Sequence, residues 1–213
     1  MAFKSLLLDV NGVVLRDREL LTHLNDNCVA YVQKKVPLSK NPKETARLLC
    51  AAYGHEIKGL QKIYGVDTSD FVDEVYDKRL MSHLQAVVCG TDFQSDADII
   101  HGLSNMHDWK VSLVTNAPLK WARCIKDAIG DVYVVPNKDE ATYPEHHVHF
   151  YVDDSPTNVE EKLRLPNWNP ILFTNSKTKK SPYIQVCSFE ELLVYVNSFD
   201  MWMTHDHWHK FEF

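Results

Sequence analysis

KSLLLDVNGVVL, Lys4 to Leu15, decides the fold. Leu6, Leu7 and Leu8 lead straight into Asp9, and Asn11-Gly12 breaks the run before Val13-Val14-Leu15. A short apolar run without polar alternation reads as a strand covered on both faces, as the central strands of parallel sheets are. The pattern predicts a strand over residues 5–10, closed by the Asn11-Gly12 turn. In an open parallel sheet, ligands bind beyond the carboxyl ends of the strands, and Asp9 stands at such an end.

Beyond this strand the texture changes. Apolar residues recur at helical spacing in Leu20-Leu21-Leu24, in Ala46-Leu48-Leu49-Ala52 and in Phe71-Val72-Val75-Tyr76, punctuated by Pro37, Pro42, Gly54 and Gly65. The spacing predicts an all-helical insert of three or four helices over residues 17–84. A helix over residues 96–106 then leads to a strand at 110–114 that ends in Thr115-Asn116. Pro118 suits the first turn of the next helix, which runs to Ile129 before Gly130. Further strands are expected at 132–135, at 148–152 before Asp153-Asp154, and at 170–173, with a capped final helix from Ser188. Strand–helix alternation of this kind means an α/β protein built on a parallel sheet.

Three of these strands end in polar residues of one kind: Asp9, Thr115-Asn116 and Asp153-Asp154. Taken singly, each is an ordinary turn or cap residue. Together, in this order, they converge on one cleft. Carboxylates crowded into a small volume repel each other, and a hard divalent cation among them relieves the repulsion, with Mg²⁺ the natural occupant of an oxygen site. A carboxylate there can attack phosphorus and form an aspartyl-phosphate. A Thr hydroxyl and backbone N–H groups at a strand-to-helix turn suit phosphate oxygens.

LLLDVNGVVL, SLVTNAP and HFYVDDSPTN resemble the first, second and fourth signature motifs of the haloacid dehalogenase (HAD) superfamily. The resemblance implies a Rossmann-like core from residues 1–15 and 86–213, with residues 16–85 as an inserted helical cap of the C1 type. CAAYGHEIKGLQKIYGVDTSDFVDEVYDKRL is similar to the cap of the pyrimidine 5′-nucleotidase-like branch. By position, Asp9 would be the nucleophile that becomes phosphorylated, and Thr115 with the Asn116 backbone would bind phosphate. Asp9, the carbonyl of Asn11, Asp153 and Asp154 would hold Mg²⁺, and Asn158 would order the loop after the acidic pair. The cap would close over the leaving group, exclude water and choose the substrate.

Two positions depart from the family's pattern. Asn11 stands where the phosphatases usually carry an Asp that protonates the leaving oxygen and then activates water. A carboxamide cannot exchange that proton, and loss of a positioned acid–base typically costs about 10²–10⁴-fold in rate. The third motif's Lys-Pro is also missing if Tyr143-Pro144 occupies its place, and Lys138 is then the nearest replacement, reaching back from the loop. The short spacing to Asp153 predicts that the helix before the fourth strand is absent.

The remaining signals narrow the class. The chain has 213 residues, is 45% hydrophobic and 24% charged, and carries a net charge of -6 without a long basic run. That argues against nucleic acid as a partner, and Lys177, Lys179 and Lys180 read as a solvated loop. Cys28, Cys50, Cys89, Cys124 and Cys187 are widely spaced and form no C-x-x-C pair, which suits reduced thiols in the cytoplasm. No stretch reaches the roughly 18 apolar residues of a membrane span. The histidines at 146, 147 and 149 and at 205, 207 and 209 offer imidazole for a borderline metal, but read more simply as a half-exposed strand and tail. Trp202 and Trp208 read as packing residues, and Tyr53, His55 and Tyr64 either face a substrate or pack the cap.

The leading expectation is a Mg²⁺-dependent phosphohydrolase of a small phosphorylated metabolite, with a nucleoside 5′-monophosphate as one candidate. The alternative is a catalytically degenerate relative kept for binding, assembly or regulation, motivated by Asn11 and the displaced lysine. Dehalogenase chemistry is a third, weaker option.

Overall fold

The computed structural model describes residues 3–138, 141–145 and 147–204, the last five by backbone alone. The opening stretch forms β1 (Lys4–Asp9), whose residues from Ser5 onward are all buried. Six parallel strands are ordered β3-β2-β1-β4-β5-β6, where β2 is Trp109–Thr115, β3 Tyr133–Pro136, β4 Val148–Asp153, β5 Trp168–Phe173 and β6 Ile184–Val186. β1 is flanked by β2 and β4, which explains its unbroken apolar run: a strand paired on both edges and covered on both faces has no wet side.

The register fixes the site. Asp9 pairs with Val114, one residue short of Thr115, and Leu8 pairs with Val152, one residue short of Asp153. Asp9, Thr115 and Asp153 therefore finish their strands at one level. The chain leaves β1 toward β2 and leaves β4 toward β5, on opposite sides, so a crevice opens at the β1/β4 boundary where the direction switches.

Between β1 and β2 lie α1 (Arg18–Lys35), α2 (Pro42–Tyr53), α3 (Glu56–Tyr64), α4 (Thr68–Val75), α5 (Lys78–Val88) and α6 (Thr91–Ser104). The insert thus contains five helices, α1 to α5, rather than three or four. The reason is local: Gly54 and Gly65 end α2 and α3 in left-handed conformations, and Asp67 and Asp77 each accept a backbone N–H to start α4 and α5. Helices this short show too few turns for the apolar period to separate them. α6 starts at Thr91, capped by Gly90, five residues before the expected start. β6 was not expected, since three residues at a sheet edge carry no period. The final helix, α9 (Phe189–Thr204), runs well past its capped first turn.

α7 (Leu119–Ile129) follows β2, and α8 (Pro156–Lys162) joins β4 to β5. Among the described residues between β3 and β4 there is no helix. Leu6, Leu8, Val111, Leu113, Phe150 and Val152 point to one face and join a continuous core with α6 and α9, while Leu7, Val114 and Tyr151 pack on the other face with Val135, Tyr143 and Trp168. The core continues into the insert through rings in contact, Phe71 to Tyr76 and Tyr76 edge-on to Trp121 of α7 at 5.3 Å between centroids. Among the described residues no helix is long and apolar enough to cross a membrane. The side chains of Trp202 and the whole of Trp208, His146, His205, His207 and His209 lie outside the described residues.

Candidate active site

Asp9 is buried at the end of β1, and Lys138 reaches it from the loop after β3. Asn137 adopts a left-handed conformation with φ 54°, which an Asn tolerates better than most residues, and so reverses the chain there. The Lys138 backbone N–H then donates to the Thr115 carbonyl at 3.3 Å, tying the loop to the end of β2. Its Nζ donates to Asp9 Oδ1 at 2.6 Å and to Asp153 Oδ2 at 3.0 Å. A loop lysine thus bridges the carboxylates of the two central strands.

Asp153 is fully buried and densely held. Ser155 N–H donates to Oδ1 at 2.9 Å, Asn158 Nδ2 reaches both oxygens at 3.1 Å, and Tyr151 Oη donates to Oδ2 beside Lys138. Asp154 is the exposed member of the pair and lies over the turn after β1. A Cβ built on Gly12 would fall 2.1 Å from Asp154 Oδ2, and Gly12 has φ +93°, so only glycine fits beneath that carboxylate.

Asp9, Asp153 and Asp154 each bring one carboxylate oxygen within 4.8 Å of the others, the one such group of three metal-ligating side chains among the described residues. The donors are all hard oxygens, the set that suits Mg²⁺. The crowded carboxylates also raise one another's affinity for a proton. Burial chiefly, with help from Asp153 and Asp154, lifts the Asp9 carboxyl above the ordinary range despite the opposing pull of Lys138. Although Asp154 is exposed as a residue, desolvation of its carboxyl by the groups around it, and then Asp153, push it up to about 6. The neighbouring carboxylates in turn raise the Lys138 ammonium, outweighing its desolvation. No backbone N–H among the described residues donates to the Asn11 carbonyl, because the bridge of Asn11 to Leu15 runs through Gly12 N–H and the Val10 carbonyl. These residues fit a divalent cation.

Asn11 lies at the cavity wall, and its Oδ1 accepts from the indole Nε1–H of Trp121 at 3.0 Å. Thr115 is buried, and its Oγ1 accepts from Ala117 N–H at 3.0 Å, turning the chain into α7. Asn116 lines the same cavity. That cavity, of about 270 Å³, extends from Asp9, Thr115 and Lys138 up to Asn25, His55, Glu56 and Tyr76 of the helical insert. Of the three insert residues named from the sequence, His55 lines it. Tyr53 instead packs beneath Lys62, and Tyr64 is 45% exposed.

Three contacts were not expected from the sequence. Tyr151 had a signal: two residues before Asp153 in a strand, it must share that residue's face. Gly12 had a weak one, as a turn glycine beside Asp9. Trp121 had none, since its partner lies 110 residues away.

No protein-family profile matches the chain, and no curated protein matches it in sequence. Solved structures do. It is similar to the HAD-hydrolase YfnB from Bacillus subtilis, described as bound to magnesium, at 12% identity and a TM-score of 0.50, covering 92% of this chain and 100% of that one. It is also similar to a haloacid dehalogenase-like family hydrolase from Xanthomonas campestris at 13% identity and a TM-score of 0.51, covering 94% and 93%. The strand order, the helical insert after β1 and the likeness to these structures show that the chain has the fold of the haloacid dehalogenase superfamily.

Proposed function

We propose that the protein is a phosphohydrolase acting on a small phosphomonoester through an aspartyl-phosphate at Asp9. The observation that carries this reading is the Lys138 bridge between Asp9 and Asp153 beside a third carboxylate. Ionised Asp9 attacks phosphorus, the bond to the leaving oxygen breaks, and the phosphoryl group passes to the carboxylate. Lys138 offsets charge on both Asp9 and the incoming phosphoryl oxygens, and the Thr115 hydroxyl with the turn into α7 receives the others. Mg²⁺, held by Asp9, Asp153, Asp154 and the Asn11 carbonyl, would supply further neutralisation of the phosphoryl oxygens. Water then attacks phosphorus and frees Asp9. Asn11 can neither protonate the leaving oxygen nor take a proton from that water, so solvent supplies the first proton and accepts the second, at a cost in rate of about 10²–10⁴-fold. Magnesium-dependent release of phosphate from a panel of phosphate esters, nucleoside monophosphates included, tests the reading. Turnover no higher than that of Asp9→Asn refutes it.

The Asn11–Trp121 hydrogen bond favours a second reading. An amide fixed in place of an acid suits a protein that binds a phosphorylated ligand or a partner without turning it over. On that reading Asn11→Asp restores no hydrolysis and ligand binding survives Asp9→Asn.

A further inference from the structure

The cavity above Asp9 carries an unexplained charge. Its core end is anionic and cationic together, through Asp9 and Lys138. Lys138 is the one lysine or arginine in the lining among the described residues, and both Asp9 and Asp153 already engage it. Among the described residues that the insert brings to the lining, Glu56, the first residue of α3, is the one carboxylate, and its side chain is 19% exposed.

The one ion-pair-range contact of Glu56 among the described residues is with His55 Nδ1 at 3.4 Å. That nitrogen accepts the Ile57 backbone N–H at 3.3 Å as the N-cap of α3. An accepting imidazole nitrogen carries a lone pair and no proton. The contact is therefore not a hydrogen-bonded ion pair, and what favours the Glu56 charge is its place in the first turn of α3 rather than a paired cation. Its field reaches inward: after burial, Glu56 is the next influence raising the Cys28 thiol, and it adds to burial and Cys28 in raising the Tyr76 phenol.

A site that must admit a phosphate dianion gains nothing from a second carboxylate facing it, unless the substrate brings a cation to that end. We propose, resting on the phosphohydrolase reading, that Glu56 selects a phosphomonoester whose alcohol carries an ammonium group. The volume points the same way. About 270 Å³ is below the roughly 300–1,000 Å³ usual for ligand pockets, which suits a phosphoryl group and a short chain better than a nucleoside. The carboxylate also acts against the wrong ligands, since a phosphoester with an anionic tail meets like charge at the far end.

Calorimetric titration of the full chain bearing Asp9→Asn, which binds without turnover, tests this with three probes: aminoethyl phosphate, propyl phosphate and phosphoglycolate. Aminoethyl phosphate is expected to bind about 10-fold or more tighter than propyl phosphate, and phosphoglycolate weakest. Adding Glu56→Gln should bring the first two together, leave propyl phosphate unchanged and tighten phosphoglycolate. That last gain is one a purely structural role for Glu56 at the start of α3 would not produce. Equal affinities in the presence of Glu56, an equal loss for all three probes in Glu56→Gln, or no binding of any probe overturns the proposal. Turnover of p-nitrophenyl phosphate by the unmodified chain reports separately on hydrolysis. Its absence with the ammonium preference intact removes the hydrolase and leaves the selectivity.

Discussion

Asn11→Asp is the sharpest perturbation the site allows, because the replacement is nearly isosteric and its surroundings are known. The Trp121 indole N–H donates to Oδ1 at 3.0 Å, and a carboxylate oxygen accepts that bond equally well. Trp121 is fully buried, so the side chain keeps its orientation. The Asn11 Nδ2 has no hydrogen-bond partner among the described residues, and the residue lines the cavity. The substitution therefore puts an oxygen, with a transferable proton, where an inert NH₂ now stands. Asp9, Asp153 and Asp154 already crowd the site with negative charge, which raises the affinity of a new carboxyl for its proton and suits it to act as an acid. A positioned acid–base is worth about 10²–10⁴-fold, or roughly 3–5 kcal/mol of barrier. The gain should depend on the ester. p-Nitrophenolate leaves without a proton, so the unmodified protein should give a burst of about one nitrophenolate per site followed by slow turnover, and Asn11→Asp should remove the burst by speeding hydrolysis of the phosphorylated Asp9. Alkyl phosphates need the proton in the first step as well, and their steady-state rate should rise by the full factor. Stopped-flow absorbance and released phosphate, both with Mg²⁺, read the two cases. Unchanged rates on both esters in a folded Asn11→Asp protein refute the reasoning that the amide limits turnover.

Other residues respond in ways that separate their roles. Lys138→Met leaves Asp9 and Asp153 buried together without their shared cation, which should destabilise the fold by about 3–5 kcal/mol in urea titration and lower phosphate release by at least about 10²-fold. Gly12→Ala places a methyl group 2.1 Å from Asp154 Oδ2 at a φ of +93°. It should weaken the apparent magnesium affinity by about 10–100-fold in a titration of phosphate release, with a smaller loss of thermal stability. His149 is buried, its Nε2 lies 2.9 Å from the Pro144 carbonyl, and burial chiefly lowers its pKa below the ordinary 6.5. Its neutral form is favoured by folding, so the contribution to stability is present above pH 6.5 and is lost as the pH falls below it through the folded value. The melting temperature should drop between pH 7.5 and 5.5, and His149→Gln should flatten that slope.

The parts of the molecule readable from sequence were those whose cause is local. Leu6 to Asp9 declared a central parallel strand because both faces of β1 are covered, and the same logic placed Thr115 and Asp153 at strand ends. The insert was readable as helical but not as five helices, since α3 and α4 span 9 and 8 residues and show barely two turns of apolar period. The spacing after β3 placed Lys138 near the site as a nearest candidate. What brings its ammonium to Asp9 is the left-handed Asn137 together with the bond to the Thr115 carbonyl, neither of which composition can state. Glu56 passed unnoticed because, in sequence, it is an ordinary acid in the first turn of a helix, where its charge favours the helix dipole. Only the fold, by bringing the start of α3 over the end of β1, makes it part of a cavity.

Asn11 shows the same division between identity and surroundings. The sequence states that an amide replaces an acid. It does not state that the amide oxygen is already committed to an indole across the chain, and that commitment decides what the substitution means. A free amide beside Asp9 would swing between rotamers, and restoring an acid there would not guarantee its aim. An amide held by Trp121 keeps the second atom of its head group directed by a fully buried ring that Tyr76 packs edge-on. The hydrogen-bonding frame for an acid is thus present while the acid is absent. On the phosphohydrolase reading, a frame in place makes turnover recoverable by one substitution. For that reason recovery, rather than basal activity alone, discriminates between a slow phosphohydrolase and a protein that only binds.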